Sequence, residues 1–295
     1  MLRTFALSTI AFGLVGCSDY DLKMVEDDPA APLDTAVEED SAEPVDTGEP
    51  PEPEDPDAPI AVCEVSPNPV APPFESAAWV GVDSYDPNDE AITDYEWTLL
   101  TIPSGSTATM PSGGANRTGF VPDLAGDYVG QLVVTNESGV QSDPCEATLE
   151  SIPAEDLWVE MYWETDGDDM DLHLLAPGGS IESNSDCYFM NCVDYGWGTL
   201  DWGTSGDSTD DPTLDLDDIT GTGPENINIE SPEEDVYTVV VHDYPGSSYT
   251  PDNDVTINVY LNGSMVWTDT RAISGEDTYT VFAEIDWGAG TVTSM

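Results

Sequence analysis

The chain has 295 residues, enough for two ordinary domains, and 39% of them are hydrophobic, enough for globular cores. It carries 61 aspartates and glutamates against 4 lysines and arginines, for a formal net charge of -57. Nucleic acid binding is therefore excluded as a function, since phosphate contacts need a basic face, and an anionic bilayer surface would repel the chain.

Residues 1–16 are typical of an export signal. Arg3 supplies a short positive region, and residues 5–15 are mostly apolar but too short to span a membrane comfortably. Residues 14–17, Leu-Val-Gly-Cys, resemble the lipobox of bacterial lipoproteins. The resemblance implies that Cys17 carries a lipid in the mature protein, and Ser18 favours the bacterial outer membrane or cell surface as its location. The alternative is an ordinary signal peptide with Cys17 there by chance.

The five cysteines support this interpretation, because an exported protein with five leaves one without a partner. If Cys17 is lipidated, two bridges account for the rest, Cys63–Cys145 and Cys187–Cys192. The export signal implies an oxidising compartment in which both can form.

Residues 17–59 are predicted to be a disordered, acidic, Pro-rich tether. Residues 38–59 contain mostly Glu, Asp, Pro, Ala and Thr, and this composition cannot bury enough apolar surface to offset chain entropy. Proline and like charges make such a segment extended, so it would hold the domains away from the lipid. Protein binding by the Pro-Glu repeats is the alternative.

Residues 60–152 are predicted to form the first of two β-sandwich domains in an all-β protein. Residues 77–82, 95–100 and 127–134 are apolar runs bounded by turn residues, which is typical of strands. Trp97 is expected in the core rather than in a ligand site.

The same domain resembles a PKD-type immunoglobulin-like domain. The resemblance lies in residues 83–88 (Asp-Ser-Tyr-Asp-Pro-Asn), residues 92–97 (Ile-Thr-Asp-Tyr-Glu-Trp) and residues 125–136. The chain departs from the family at residues 102–106, where the family often has Asp-Gly. The resemblance implies a spacer or interaction module whose first and last strands are stapled by Cys63 and Cys145.

Residues 153–295 are predicted to form a second β-sandwich. Asn262-Gly263 separates two alternating runs and predicts a hairpin with a two-residue type I′ turn. Residues 236–241 and 279–287 are further predicted strands. The two-residue period of a strand would place five side chains of the latter on one face: Tyr279, Val281, Ala283, Ile285 and Trp287.

Two acidic segments of this domain resemble the YfaP-like family (domain of unknown function 2135). Residues 169–179 match its Asp-x-Asp-Leu-His-x-x-x-Pro-x-Gly pattern, and residues 221–226 match its Gly-x-Gly-Pro-Glu-Asn pattern. The resemblance implies an exported β-sandwich and supplies no catalytic residues. Strand alternation places Asp169, Asp171 and His173 on the face opposite the apolar residues.

A Ca²⁺ site is predicted if these segments meet, because Ca²⁺ prefers carboxylate and carbonyl oxygens and like charges on neighbouring strands repel without a cation. The predicted ligands are Asp169, Asp171, Asp215, Asp217, Asp218 and Glu225. The alternatives are that these side chains hold turns or face solvent, or that the acidity keeps the surface soluble or adapts it to high salt.

Other site residues have weaker patterns. His173 and His242, the only histidines, are predicted to be structural, since the cysteines that would complete a zinc site are paired. Trp197 and Trp202 lie among glycines and could stack on sugar rings, or else cover the sandwich edge near Cys187–Cys192.

The leading hypothesis is a non-enzymatic, membrane-anchored binding or adhesion module with a carbohydrate or protein ligand and Ca²⁺ as its candidate cofactor. The alternatives are a structural spacer without a ligand, or a hydrolase or its accessory domain. No local pattern singles out a carboxylate pair for glycoside hydrolysis.

Overall fold

Short runs of β-branched and aromatic residues, separated by turn residues, form strands along the chain. A computed structural model describes residues 57–193 and 200–295. In these ranges the strands form four antiparallel sheets, which confirms the all-β fold. No helix there is long and apolar enough to cross a membrane. The predicted export signal, Cys17, nearly all of the predicted tether and Trp197 lie outside the described residues.

The N-terminal half contains two three-stranded sheets around one core. The strands are β1 (Glu64–Ser66), β2 (Ala77–Val80), β3 (Ile92–Thr101), β4 (Asn116–Phe120), β5 (Gly126–Asn136) and β6 (Cys145–Ser151). The sheet orders are β1-β2-β4 and β3-β5-β6. Aromatic rings fill the space between the sheets, with Trp79 5.9 Å from Trp97 and 5.5 Å from Phe120. Trp97 is buried, as predicted.

The predicted Cys63–Cys145 disulfide is present and joins the two sheets of this half. Cys63 directly precedes β1, and Cys145 is the first residue of β6. Their Cα atoms are 5.9 Å apart, and 82 positions separate them in the sequence. The bridge therefore ties together strands from the two ends of the domain.

The C-terminal half contains two five-stranded sheets. The strands are β7 (Leu157–Trp163), β8 (Met170–Leu175), β9 (Asp186–Cys187), β10 (Thr213–Leu216), β11 (Glu225–Ile229), β12 (Val236–Asp243), β13 (Asn253–Leu261), β14 (Ser264–Ile273), β15 (Thr278–Asp286) and β16 (Thr291–Ser294). The orders are β10-β11-β7-β13-β14 and β16-β15-β12-β8-β9. One apolar core lies between them. The predicted Cys187–Cys192 disulfide is also present.

Strand β15 corrects one prediction about side-chain faces. The expected single face of alternating residues is interrupted, because the register with β12 shifts between Val239 and Val240. Tyr279 and Val281 are consequently exposed on one side, whereas Ala283 and Ile285 are buried in the core. An extra residue in one strand reverses the side-chain direction beyond it, and a period of two cannot reveal such a bulge.

The two halves contact each other at a small buried cluster made of Ala125, Trp158 and Tyr260. The Ala125 N–H donates a 2.8 Å hydrogen bond to Glu160 Oε1 on β7. Asn258 Nδ2 and the Tyr260 hydroxyl each lie 3.3 Å from Glu160 Oε2 as donors. A carboxylate that is 1% exposed therefore lies at the joint between the halves.

The predicted hairpin between β13 and β14 has the expected turn. Asn262 has a φ of 51° and Gly263 a φ of 72°, and positive values at both central residues define a type I′ turn. A Cβ at Gly263 would also approach Ile152 Cγ2 to 2.9 Å. The turn thus needs glycine for its conformation and for the space beside it.

We expect Gly263→Ala to lower the free energy of unfolding by about 1–2 kcal/mol, because a side chain in the left-handed region is strained. Gly290→Ala is the matched control: its φ is 64°, but nothing lies within 4 Å of the added Cβ. Urea unfolding should therefore show a larger loss for Gly263→Ala. Equal losses would mean that the contact with Ile152 is relieved without cost.

Candidate metal centre

The centre of the site is β8, whose two faces have different chemistry. Met170, Leu172 and Leu174 point into the core, as the alternation predicts. Asp171 and His173 lie on the other face, yet they are only 3% and 1% exposed. A polar strand face that is almost fully covered is unusual, because buried polar groups need partners.

Aromatic side chains provide much of this cover. The Tyr188 ring stacks on His173 with centroids 5.0 Å apart, and the Tyr279 ring stacks on His242 with centroids 4.0 Å apart. His242 lies on β12 directly opposite Asp171. The Tyr279 hydroxyl donates a hydrogen bond to Glu182, which fixes that ring over the histidine.

Three carboxylates meet beside this face. Oxygens of Asp171, Asp217 and Glu225 lie within 4.8 Å of one another. Glu225, the first residue of β11, reaches across from the other sheet and accepts a 2.8 Å hydrogen bond from the Leu172 N–H. Asp171 and Glu225 are buried, whereas Asp217 is exposed in the loop after β10.

Among the described residues, His242 is the one ion-pair partner of these acids, and it is charged only when protonated. In residues 57–193 and 200–295, no ion pair joins an arginine to any of the three; Arg271 pairs with Asp269. Burial, with further contributions from the Asp169 and Asp217 carboxylates, raises the pKa of Asp171 to about 8. Burial and the Asp171 carboxylate raise the pKa of Glu225 well above its ordinary value.

An open cavity of about 220 Å³ adjoins the carboxylates. Burial and the Asp217 carboxylate raise the pKa of Asp169, on its rim, to about 6. The lining of this cavity combines acids with apolar side chains, namely Asp169, Asp171, Phe189, Asp217, Ile219 and Tyr244. Ions and small polar ligands could reach the cluster from this side.

Two of the predicted Ca²⁺ ligands have other roles. Asp218 accepts hydrogen bonds from the N–H groups of Gly221 and Gly223, so its carboxylate holds the turn. Asp215 accepts from the side-chain amides of Asn226 and Asn228 on β11. Neither belongs to the group of three. For Asp215, the register shift before Leu216 and the end of β10 there separate its side chain from that of Asp217.

The predicted aromatic ligand site is not supported at Trp202. This residue is 8% exposed, stacks on Tyr237 and donates its indole N–H to the Asn184 carbonyl. The indole is therefore largely buried and covers the core beneath, which is the alternative stated for Trp202; ligand binding by this residue stays a prediction. Trp197 lies outside the described residues.

The sequence predicts both histidines to be structural, and its patterns do not indicate that they lie close to each other. One nitrogen of each, together with an Asp171 oxygen, forms a second group within 4.8 Å. His173 shares a face with Asp171, which the alternation indicated. His242 could be added only once β12 was known to pair with β8.

No protein-family model, curated protein or solved structure matches this chain. The resemblances to bacterial lipoproteins, PKD-type domains and the YfaP-like family therefore stay predictions. The function has to be argued from the geometry of the site.

Proposed function

We propose that the protein is an exported, lipid-anchored, non-enzymatic binding module whose C-terminal β-sandwich uses Ca²⁺ bound by Asp171, Asp217 and Glu225. The observation that supports this proposal most directly is the pair of buried carboxylates, with a third within 4.8 Å and no arginine of the described residues paired to them. The lipid anchor is the predicted one at Cys17.

Charge repulsion is the physical reason to expect a cation. Two carboxylates about 4.8 Å apart repel each other by roughly 3 kcal/mol at an effective dielectric constant near 20. Protonation of a carboxyl group relieves this repulsion by removing its charge. A divalent cation relieves the repulsion at neutral pH while the carboxylates stay ionised. Ca²⁺ takes roughly 6–8 oxygen ligands, so backbone carbonyls, water and Asp169 would complete the three carboxylates.

Binding of Ca²⁺ would join parts of the two sheets. Asp171 is on β8 of one sheet, Glu225 begins β11 of the other, and Asp217 is in the loop beside the cavity. The ion would thereby fix that loop and the exposed Ile219 at the cavity entrance. This surface is where we place a carbohydrate or protein ligand.

We expect Ca²⁺ to raise the melting temperature of the EDTA-treated full-length protein. At a concentration of about 100 times Kd the stabilisation is about 2.7 kcal/mol, which corresponds to roughly 5–10 °C. Glu225→Gln should abolish the shift and should melt above the wild type in EDTA, because one source of repulsion is removed. Asp217→Asn should lose most of the shift.

Asp166→Asn is the matched control, because Asp166 is exposed in the loop preceding β8. It should keep the full Ca²⁺ shift. A wild-type melting temperature that is the same in Ca²⁺ and EDTA would refute the Ca²⁺ proposal. A glycan array probed with Ca²⁺-loaded and EDTA-treated protein then tests carbohydrate binding, and silence in both states would favour the spacer alternative.

A further inference from the structure

We propose that Asp171, His173 and His242 form a second metal site, one that takes a divalent transition metal such as Zn²⁺. The site is distinct from the three-carboxylate group, although Asp171 belongs to both. The inference is carried by the two histidines and their partners, so it does not depend on Ca²⁺ binding.

The three side chains converge on one buried point of the β8–β12 pair. One ligand atom from each lies within 4.8 Å of the other two. Asp171 and His242 face each other in the strand register, with Asp171 Oδ2 3.4 Å from His242 Nδ1. The residues are 3%, 1% and 4% exposed in the order Asp171, His173, His242.

Each imidazole is oriented by a further carboxylate. His173 Nδ1 lies 2.8 Å from Asp186 Oδ2, and His242 Nε2 lies 3.4 Å from Asp277 Oδ1. Each carboxylate accepts a hydrogen bond from one ring N–H, so the lone pair of the other ring nitrogen points away from that carboxylate. This arrangement, a carboxylate behind a ligating histidine, is a general feature of metal sites in proteins.

The inward atoms have no hydrogen-bond partner. His173 Nε2 and Asp171 Oδ2 are both fully buried, and neither has a hydrogen bond to another described residue. If His242 donates Nε2–H to Asp277, its Nδ1 lone pair faces the Asp171 oxygen at 3.4 Å, and a proton or a cation has to lie between these two atoms. A cation between the three atoms satisfies all of them at once.

The ligand types select the class of metal. Two imidazoles and one carboxylate suit Zn²⁺ and other first-row divalent ions, whereas Ca²⁺ and Mg²⁺ prefer oxygen alone. The stacked Tyr188 and Tyr279 rings hold both imidazoles and limit water around them. The geometry therefore favours a closely held ion with three protein ligands.

Co²⁺ titration of EDTA-treated, tag-free full-length protein tests the proposal. The chain has only 2 histidines, so a visible spectrum typical of histidine-bound Co²⁺ reports on this site alone. We expect a saturable spectrum at one equivalent, displaced by Zn²⁺. His173→Asn and His242→Asn should each reduce Co²⁺ affinity by at least tenfold.

Asp217→Asn is the matched control, because Asp217 belongs only to the three-carboxylate group. It should lose the Ca²⁺ response and keep the Co²⁺ spectrum, so failures of the two proposals are distinguishable. No spectrum in the wild type, or an unchanged spectrum in the double histidine variant, would overturn this inference. If a histidine variant unfolds, Zn²⁺-induced shifts of the wild-type histidine nitrogen resonances decide instead, and their absence would also refute it.

Discussion

Replacement of Cys63 and Cys145 by serine is expected to destabilise the N-terminal half by about 4–5 kcal/mol. The bridge closes a loop of 82 positions, and the chain-entropy relation gives about 4.5 kcal/mol for a loop of that length. The half depends on this bridge because its core lies between two sheets of only three strands each. The expected loss is a large fraction of the stability of an ordinary domain.

The second disulfide supplies the matched control. Cys187 and Cys192 are 5 positions apart, and the same relation gives only about 2 kcal/mol. Urea unfolding of both serine variants, followed by near-ultraviolet circular dichroism, should rank the Cys63 and Cys145 variant well below the other. An equal or reversed ranking would show that loop entropy does not set the contribution of the bridges.

Local patterns were sufficient to predict much of this fold. The two-residue turn at Asn262-Gly263 follows from the need for positive φ at both positions, and glycine and asparagine tolerate it best. Burial of alternate residues on β8 follows from the strand period, since Met170, Leu172 and Leu174 have to cover a core. Both disulfides followed from parity and position among the cysteines.

Features that depend on register were beyond sequence reasoning. The bulge in β15 places Tyr279 and Ala283 on opposite faces, and no residue type in the sequence indicates the bulge. His242 faces Asp171 only because β12 pairs with β8 in one particular register. Asp215 and Asp217 were both predicted as Ca²⁺ ligands, but β10 ends between them and only Asp217 belongs to the group of three. Side-chain convergence across strands is thus a tertiary property.

Most of the acidic residues need no specific explanation, but the buried ones do. A surface carboxylate is solvated, and repulsion between exposed charges is screened by salt within about 10 Å. Among the described acids, Asp171, Glu225 and Glu160 are each 3% exposed or less, as are Asp168 and Asp186, so water cannot solvate these carboxylates. High-salt adaptation would account for surface acids only, so the buried acids need a local explanation.

Glu160 is a buried acid that lies away from the metal centre. It lies at the joint between the halves and accepts hydrogen bonds from Ala125, Asn258 and Tyr260. Burial raises the pKa of Glu160 to about 7, although these hydrogen bonds favour the ionised form. In the unfolded chain the pKa of a glutamate is about 4.3, so the folded state holds its proton over a wider range.

We therefore expect Glu160 to make stability fall as pH rises. Below pH 4 both states are protonated and the residue contributes no pH dependence. Between about pH 4.3 and 7 the unfolded state loses the proton first, so folding is progressively disfavoured, by about 4 kcal/mol in total. Above pH 7 both states are ionised and the loss is complete. Glu160→Gln, which cannot ionise, should remove this part of the pH dependence.

Urea unfolding of the wild type and Glu160→Gln at pH 5 and pH 8, both in EDTA, measures the effect. The acids of the metal centre titrate in both proteins and cancel in the comparison, since they are unchanged. From pH 5 to pH 8 the stability of Glu160→Gln should rise by about 2–3 kcal/mol relative to that of the wild type. Glu150→Gln, at an exposed position on β6, should follow the wild type at both pH values. An equal difference in stability between Glu160→Gln and the wild type at both pH values would contradict this prediction. It would mean that Glu160 is ionised in the folded protein at both pH values, stabilised by its three donors despite its burial.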